Sequence, residues 1–254
     1  MNIIKAKIVS SEMVSSSFYL LTVSNESNRT LRLGKPGQFY EIMVFVKSFN
    51  LRIPISIFNI DKYYITFLIK LVGPKTTKLK SLKPNTMINI IGPLGNPFIV
   101  KHGCDYLFVS GGSGYAPLHF LHQYIPKDKV TWVHGGKSQD DVIFATKAIF
   151  QTTEDGTKGT KGLVTDEINR IIKHKKIQKI VACGSINMLK AIFEIAQKNK
   201  IEYDVSLEAY MACAVGVCYG CAVKIKDEKN NETYSRVCKE GPIYDGYKVV
   251  WENE

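Results

Sequence analysis

The sequence predicts a multidomain β plus α/β chain: an antiparallel β-barrel over residues 1–100, a parallel-sheet α/β region over 101–207, and a small cysteine-rich region over 208–254. Three observations carry this expectation. Up to about residue 100 the apolar runs are short, follow a period of two or are rich in aromatics, and are separated by turn residues, the pattern of antiparallel strands. From about residue 105, short continuous apolar runs alternate with helix-length stretches, as in a parallel sheet covered by helices. After Glu208 the regular periodicity stops, and four of the six cysteines fall in the last 42 residues.

In the first region the strand candidates are KAKIVS, FYLLTV, QFYEIMVFV, YYITFLIKL and MINIIG, with one helix-like piece, TTKLKSLK, between Pro74 and Pro84. Gly34 to Gly37 and the run GPLGNP at Gly92 to Pro97 punctuate them, so a small closed barrel fits best. In the second region DYLFVS leads into GGSGYAPLHFLHQY, KVTWVHGG into a mixed segment and TDEINRIIKH, QKIVACG into SINMLKAIFEIAQKNK, and IEYDVSL closes the series.

The chain has 254 residues and is 45% hydrophobic and 22% charged, which excludes a disordered protein. Charges, Gly and Pro interrupt every apolar run before the roughly 18 residues a spanning helix requires, so no membrane span is expected. The N-terminus alternates apolar residues with Lys5 and Lys7 and reads as a first strand, not a signal peptide. Lys and Arg outnumber acids 34 to 23, for a net charge of +11 and a pI near 9.2. That charge is dispersed. Its densest group, Lys173, Lys175, Lys176 and Lys179, is expected to be a solvated surface at a helix end, and nucleic acid is not an expected partner.

The cysteines discriminate more sharply. Neither a signal peptide nor evenly spread pairs suggest a disulfide framework, so a reducing, cytoplasmic setting and a metal or cluster site are expected. The spacing Cys213-x4-Cys218-x2-Cys221-x16-Cys238 brings three thiolates within nine residues and a fourth from a later segment. Zinc sites draw paired ligands from two knuckles, whereas the x4 and x2 gaps are those of plant-type 2Fe-2S ferredoxins. The reading is therefore a 2Fe-2S cluster, with zinc as the alternative. Ala212, Ala214, Gly216, Gly220 and Ala222 leave room for backbone N–H groups to approach the sulfurs.

Other signals are weaker. Gly111, Gly112 and Gly114 end a strand and open a helix, which suits either a phosphate at the helix N-terminus or a tight turn. Cys183 and Gly184 end another strand of the same sheet, at the edge where parallel sheets bind ligands, although a buried cysteine is also ordinary core. Arg52 and Ser56 border a short strand and Thr76 and Thr77 a helix start, for which a surface arginine and a capping threonine are sufficient accounts.

In order along the chain, IPIS, VGPKT, GPLGN, GGSGYAP, TEDGTKGTKGLVTD, CGS, MACAVGVCYGC and VCKEGPIYD resemble the ferredoxin-reductase-like superfamily. The closest likeness is to electron-transfer subunits of NAD-dependent dihydroorotate dehydrogenase. The cysteine block is the most specific part of that resemblance, which runs the length of the chain. It implies an FAD-binding barrel, an NAD-binding sheet and a 2Fe-2S region, in an oxidoreductase subunit of pyrimidine biosynthesis. Electrons would come from the FMN of a separate catalytic subunit, in a heterotetramer of two of each chain, and pass through the cluster and FAD to NAD+. The resemblance assigns FAD contacts to Arg52, Ile53, Pro54, Ile55, Ser56, Lys70, Leu71, Val72, Gly73, Lys75 and Thr76. It assigns NAD contacts to Gly111, Gly112, Gly114, Cys183 and Gly184, and cluster ligation to Cys213, Cys218, Cys221 and Cys238. A related NAD(P)H-ferredoxin or hydrogenase-type reductase subunit is the nearest alternative, and Lys137 would be the residue to meet a 2′-phosphate. A basic zinc-binding nucleic-acid module is the alternative of another class.

Four positions depart from the family pattern. Ile53 stands where the family has a flavin-phosphate arginine, with Arg52 one residue early and, in a regular strand, on the opposite face. Lys75 replaces a turn glycine, Ala214 the glycine after the first cluster cysteine, and Ser185 a proline.

Overall fold

The computed structural model describes residues 3–25, 34–46, 51–144 and 149–251. Six antiparallel strands, β1 (Ile3–Met13), β2 (Phe18–Asn25), β3 (Phe39–Ile42), β4 (Ile53–Ile60), β5 (Tyr64–Lys70) and β6 (Met87–Leu94), close a barrel in the order β1-β2-β5-β4-β3-β6. The period-two pattern sends Ala6, Ile8, Leu21, Val23, Tyr40, Ile42, Phe67 and Ile90 into one interior core. Helix α1 (Pro74–Lys80) interrupts the strands and adds Leu79 to that core. Proline at its first turn forfeits no hydrogen bond, and Lys78 and Lys80 sit in its last turn, where cations are favoured.

The second sheet is built from β7 (Tyr106–Gly111), α2 (Tyr115–His122), β8 (Val130–Gly136), β9 (Ile149–Thr153), β10 (Thr160–Lys161), α3 (Val164–His174), β11 (Lys179–Cys183), α4 (Ile186–Asn199) and β12 (Glu202–Ser206). Its strand order is β10-β9-β8-β7-β11-β12, all parallel, with one further strand from the end of the chain added antiparallel beside β12. The short strands β9 and β10 come from the stretch that sequence periodicity leaves as a mixed segment, because neither is long enough to show a period. The chain reverses its winding between β7 and β11, so their carboxyl ends flank the crevice in which such sheets bind ligands.

The final region contributes a hairpin, β13 (Ala222–Lys226) with β14 (Glu232–Arg236), and then β15 (Ile243–Asp245), which pairs antiparallel with β12. Cys221, Val237, Cys238, Tyr244 and Val249 share one core with Leu107, Ile180 and Val205 of the sheet. The cysteine region therefore has no core of its own. Phe39 of the barrel reaches the same cluster. A third cluster joins Phe18, Phe58 and Leu68 of the barrel to Phe108, Tyr115, Trp132 and Cys183 of the sheet region.

Lys179 departs from the expected solvated surface. It is buried in β11 and pairs with Asp204 at 2.5 Å, because its strand is covered on both faces and the neighbouring strand supplies the counter-charge.

At the crevice the two strand ends touch backbone to backbone. A Cβ at Gly114 would lie 2.1 Å from the Cys183 carbonyl oxygen and 3.0 Å from Gly184 N, so no side chain fits there. Gly114→Ala is expected to cost about 1–3 kcal/mol, as other overpacked sites do. Gly112 has φ +50 and open space beyond its Cα, the nearest atom being Phe18 Cζ at 3.9 Å. Alanine there should cost only about 1 kcal/mol of backbone strain. Urea unfolding of both variants checks the close approach, and equal losses would contradict it.

Candidate functional site

A cavity of about 820 Å³ lies between β4 of the barrel, the turn before α1 and the carboxyl edge of the sheet. Cofactor and ligand sites usually occupy about 300–1,000 Å³, so it has room for a large cofactor. Arg52, Ile53, Pro54, Ile55, Ser56, Lys70, Val72, Gly73, Lys75 and Thr76 line it from the barrel side, and Ser113, Ser206 and Glu208 are among the residues facing them. Of the residues assigned to FAD by resemblance, Leu71 is the exception. Its side chain packs on the barrel core and its N–H donates to Ser17 O at 2.8 Å.

The cavity wall is cationic on the barrel side. Arg52 donates from Nη1 to Asn89 O at 3.0 Å, and the Lys75 ammonium donates to Leu51 O. Both partners are neutral carbonyls, so both charges are available to an anionic group. The Lys70 ammonium is already committed to Asp141 at 2.6 Å. The expectation that Arg52 faces away from Ile53 fails, since both line the cavity. Arg52 precedes the first residue of β4 and is not bound by strand alternation. Ile53 pairs with Ile42 and packs on the barrel core, so its side chain belongs partly to that interior.

The turn before α1 is shaped by Thr76. Its hydroxyl accepts from Val72 N at 3.1 Å and Gly73 N at 3.2 Å and donates to Gly73 O at 3.0 Å. Its role is to hold the turn, while Gly73 presents open space where a Cβ would stand. On the sheet side, Ser110, Cys183 and Ser206 align across β7, β11 and β12. Gly111, Gly112, Gly114, Cys183 and Gly184 lie at that edge, beside the cavity and outside its lining. Met188 closes over Gly111 and Gly184, its Sδ 3.0 Å from where a Gly111 Cβ would be. Ser185 caps α4, its Oγ accepting from Met188 N at 3.4 Å, which is what a serine provides in place of the family's proline.

The four cluster cysteines lie in two neighbouring pairs, Cys213 with Cys218 and Cys221 with Cys238. A dinuclear 2Fe-2S cluster takes two thiolates on each iron, and the paired cysteines fit that donor set. Cys218 N and Val217 N both reach the Cys213 sulfur at 3.4 Å. N–H bonds from Cys218 and Val215 hold the Cys213 thiol well below its ordinary range and favour the thiolate that a metal requires. Ala214, Gly216 and Tyr219 all have positive φ, at 56°, 78° and 56°, which is how the loop turns its N–H groups inward. Arg236 anchors the loop by donating to Gly216 O at 2.5 Å and stacking over the Tyr219 ring.

The profile of the iron–sulfur cluster binding domain of dihydroorotate dehydrogenase B matches residues 208–250. The electron transfer subunit of dihydroorotate dehydrogenase B (NAD(+)) from Caldanaerobacter subterraneus subsp. tengcongensis is 33% identical over 250 residues, covering 97% of this chain and 98% of its own length. The chain belongs to this family. The corresponding subunit of Bacillus cereus strain Q1 is also 33% identical, with 96% of each chain covered. Among solved structures, a chain of an NADH-dependent reduced ferredoxin-NADP oxidoreductase superposes with a TM-score of 0.84 at 26% identity, over 97% of this chain and 90% of that one.

Within this electron transfer subunit fold, one buried group escapes sequence reasoning. Glu41 lies on β3 opposite Pro54 and is fully buried, with no partner for either carboxylate oxygen. In an alternating strand a glutamate on the outer face is unremarkable, and only packing against the other regions reveals that this face is covered. Burial pushes its pKa up to about 7, against the pull of Arg52 and Lys75 and with the help of Cys213.

For an acid the raised value has a definite sign. Below its ordinary 4.5 both folded and unfolded chains hold the proton. Between there and about 7 only the folded chain does, so stability declines as pH rises, by about 3 kcal/mol over that window. Glu41→Gln should remove that decline. Chemical unfolding at a series of pH values checks it, and identical slopes in parent and variant would contradict it.

Proposed function

We propose that this chain is the electron transfer subunit of an NAD-dependent dihydroorotate dehydrogenase serving pyrimidine biosynthesis. The observation that carries this reading is one cavity bordered on one side by the carboxyl edge of a parallel sheet and lined on another by Tyr210 and Met211, the segment that leads into Cys213. FAD occupies the cavity, with Ile55 and Ser56 toward its ring system and Arg52, Gly73 and Lys75 toward its diphosphate. NAD lies at the carboxyl edge, with Gly111, Gly112 and Gly114 toward its phosphates and Cys183 with Gly184 near the nicotinamide. Cys213, Cys218, Cys221 and Cys238 hold the 2Fe-2S cluster. Together these groups would supply an exchange between single electrons at the cluster and hydride at NAD, which a flavin can mediate because it takes part in both.

The residues' own work is binding and orientation. Arg52 and Lys75 supply the charge that Ile53 lacks, and Thr76 keeps the turn open for the diphosphate. The oxidation of dihydroorotate belongs to a separate FMN-bearing catalytic subunit, two of each chain forming a cytoplasmic heterotetramer. Val217 and Tyr219, exposed at the cysteine loop, suit the interface, because electron transfer requires the cluster close to the partner. A second reading, the small subunit of a ferredoxin-NADP reductase complex, draws support from the structural likeness to that enzyme.

Two tests apply. Replacing Cys218 by Ser should lower iron and labile sulfide from the expected two of each per chain, while zinc without labile sulfide in the parent would refute the cluster. Arg52→Ala and Lys75→Ala should each weaken FAD binding by about 10- to 150-fold, the equivalent of a charge-assisted contact of about 1.5–3 kcal/mol. FAD titration at two salt concentrations checks this. Reduction of NAD+ by dihydroorotate only when a catalytic subunit is added separates the first reading from the second.

A further inference from the structure

In a trans peptide the C=O and N–H of one plane point in opposite directions, so a partner that fixes the carbonyl also aims the N–H. The peptide between Gly216 and Val217 is trans, and both of its polar groups are engaged. On one side Arg236 Nη1 donates to Gly216 O at 2.5 Å. On the other, Val217 N donates to Cys213 Sγ at 3.4 Å. Gly216 has φ +78, a conformation glycine adopts freely, so the orientation of this plane is set by its two bonds. The N–H of Gly216 itself faces Cys238, which places this glycine between the two cysteine pairs.

Arg236 is in turn held from several directions. Its Nε donates to Glu240 Oε2 at 3.0 Å and its Nη2 to Glu240 Oε1, a two-pronged pair, while its main-chain N–H donates to the same carboxylate at 2.9 Å. The guanidinium lies over the Tyr219 ring, 4.9 Å from the centroid. Arg236 O accepts from Lys239 N, Glu240 N and Gly241 N. Nη1 is the nitrogen left for the loop, and the rigid plane of the guanidinium fixes where it points. Arg236 ends β14, two residues before Cys238, so it ties the segment that carries the last cysteine to the peptide that faces the first. Glu240 meets its charge, and what remains for the loop is orientation.

An iron–sulfur cluster becomes more negative on gaining an electron, and N–H groups bonded to its sulfurs favour that state. We propose that Arg236 is a positioning residue that raises the reduction potential of the cluster, by holding the Gly216–Val217 peptide with its N–H on Cys213. The inference rests on the reading that the four cysteines hold a 2Fe-2S cluster.

The test sets charge against grip, using the chain loaded with its cluster. Reductive titration at one pH, followed by the electron paramagnetic resonance signal of the reduced cluster, reads its potential separately from that of the flavin. Arg236→Gln should lower the ratio of reduced to oxidised cluster at a given applied potential about tenfold, a fall of about 59 mV for a one-electron couple, with iron and labile sulfide unchanged. Arg236→Lys keeps the charge but offers a single nitrogen, which the Glu240 carboxylate claims ahead of a neutral carbonyl, so it should show the same fall. A lysine variant that stays at the parent's potential would overturn the proposal, because charge is then sufficient. Loss of the cluster from both variants would overturn it as well, making Arg236 a requirement for assembly and not a setting of the potential. A parent chain that holds no iron and labile sulfide would instead overturn the reading on which the proposal stands.

Discussion

The structure depends on an aromatic seam between the barrel and the sheet. Phe58 of β4 stacks on His119 of α2 with ring centroids 4.2 Å apart, and Tyr115 of the same helix stacks on Trp132 of β8 at 4.6 Å. Each such pair adds about 0.5–1.5 kcal/mol to the area it buries. The seam fixes the angle at which the barrel wall meets the carboxyl edge of the sheet, and the cavity is the space left where the two diverge. Below it the Lys70–Asp141 pair and the bond from Ser15 Oγ to Asp140 O tie the same two regions at their polar rim. A cofactor-sized space between two regions can keep its shape only if the regions do not slide.

Charge is distributed about that space with one sign on each side. Arg52 and Lys75 sit on the barrel wall against neutral carbonyls, while Glu41 is sealed behind them and Glu208 opens into the cavity from the sheet. Sealing Glu41 favours its neutral form and so avoids an anion beside the cations, which leaves their field to act on whatever enters. In the proposed reading these two cations do the work of an arginine at position 53, without a guanidinium buried against Ile42 and the barrel core.

Much of this was legible in the sequence because it depends on local pattern. Alternation located five of the six barrel strands, with β4 read only as a short strand at Arg52 to Ser56, continuous apolar runs located the longer parallel strands, and the x4 and x2 gaps located the cysteine loop. What was not legible depends on contacts between distant segments. No periodicity marks Lys179 as buried, since its partner Asp204 lies on a neighbouring strand. Glu41 and Glu208 look like surface glutamates until a second region is placed against them. Gly114 reads equally as a phosphate-binding or a turn glycine, and the approach of Cys183 to 2.1 Å of its missing Cβ gives the turn a steric reason of its own.

The antiparallel addition of β15 to β12 bears on how far the cysteine region is portable. A segment that contributes a strand to its neighbour's sheet, and Cys221, Val237 and Cys238 to its neighbour's core, cannot be moved as a cassette. Cutting the chain at residue 208 would leave β12 as a bare sheet edge with apolar flanks, the kind of surface that recruits a strand from another molecule. Grafting the segment onto a different reductase would require that host to offer a matching open edge. Loss of the cysteine region is thus coupled to the sheet itself, and within it the exposed side chains of Val217 and Tyr219 stand outside the shared core.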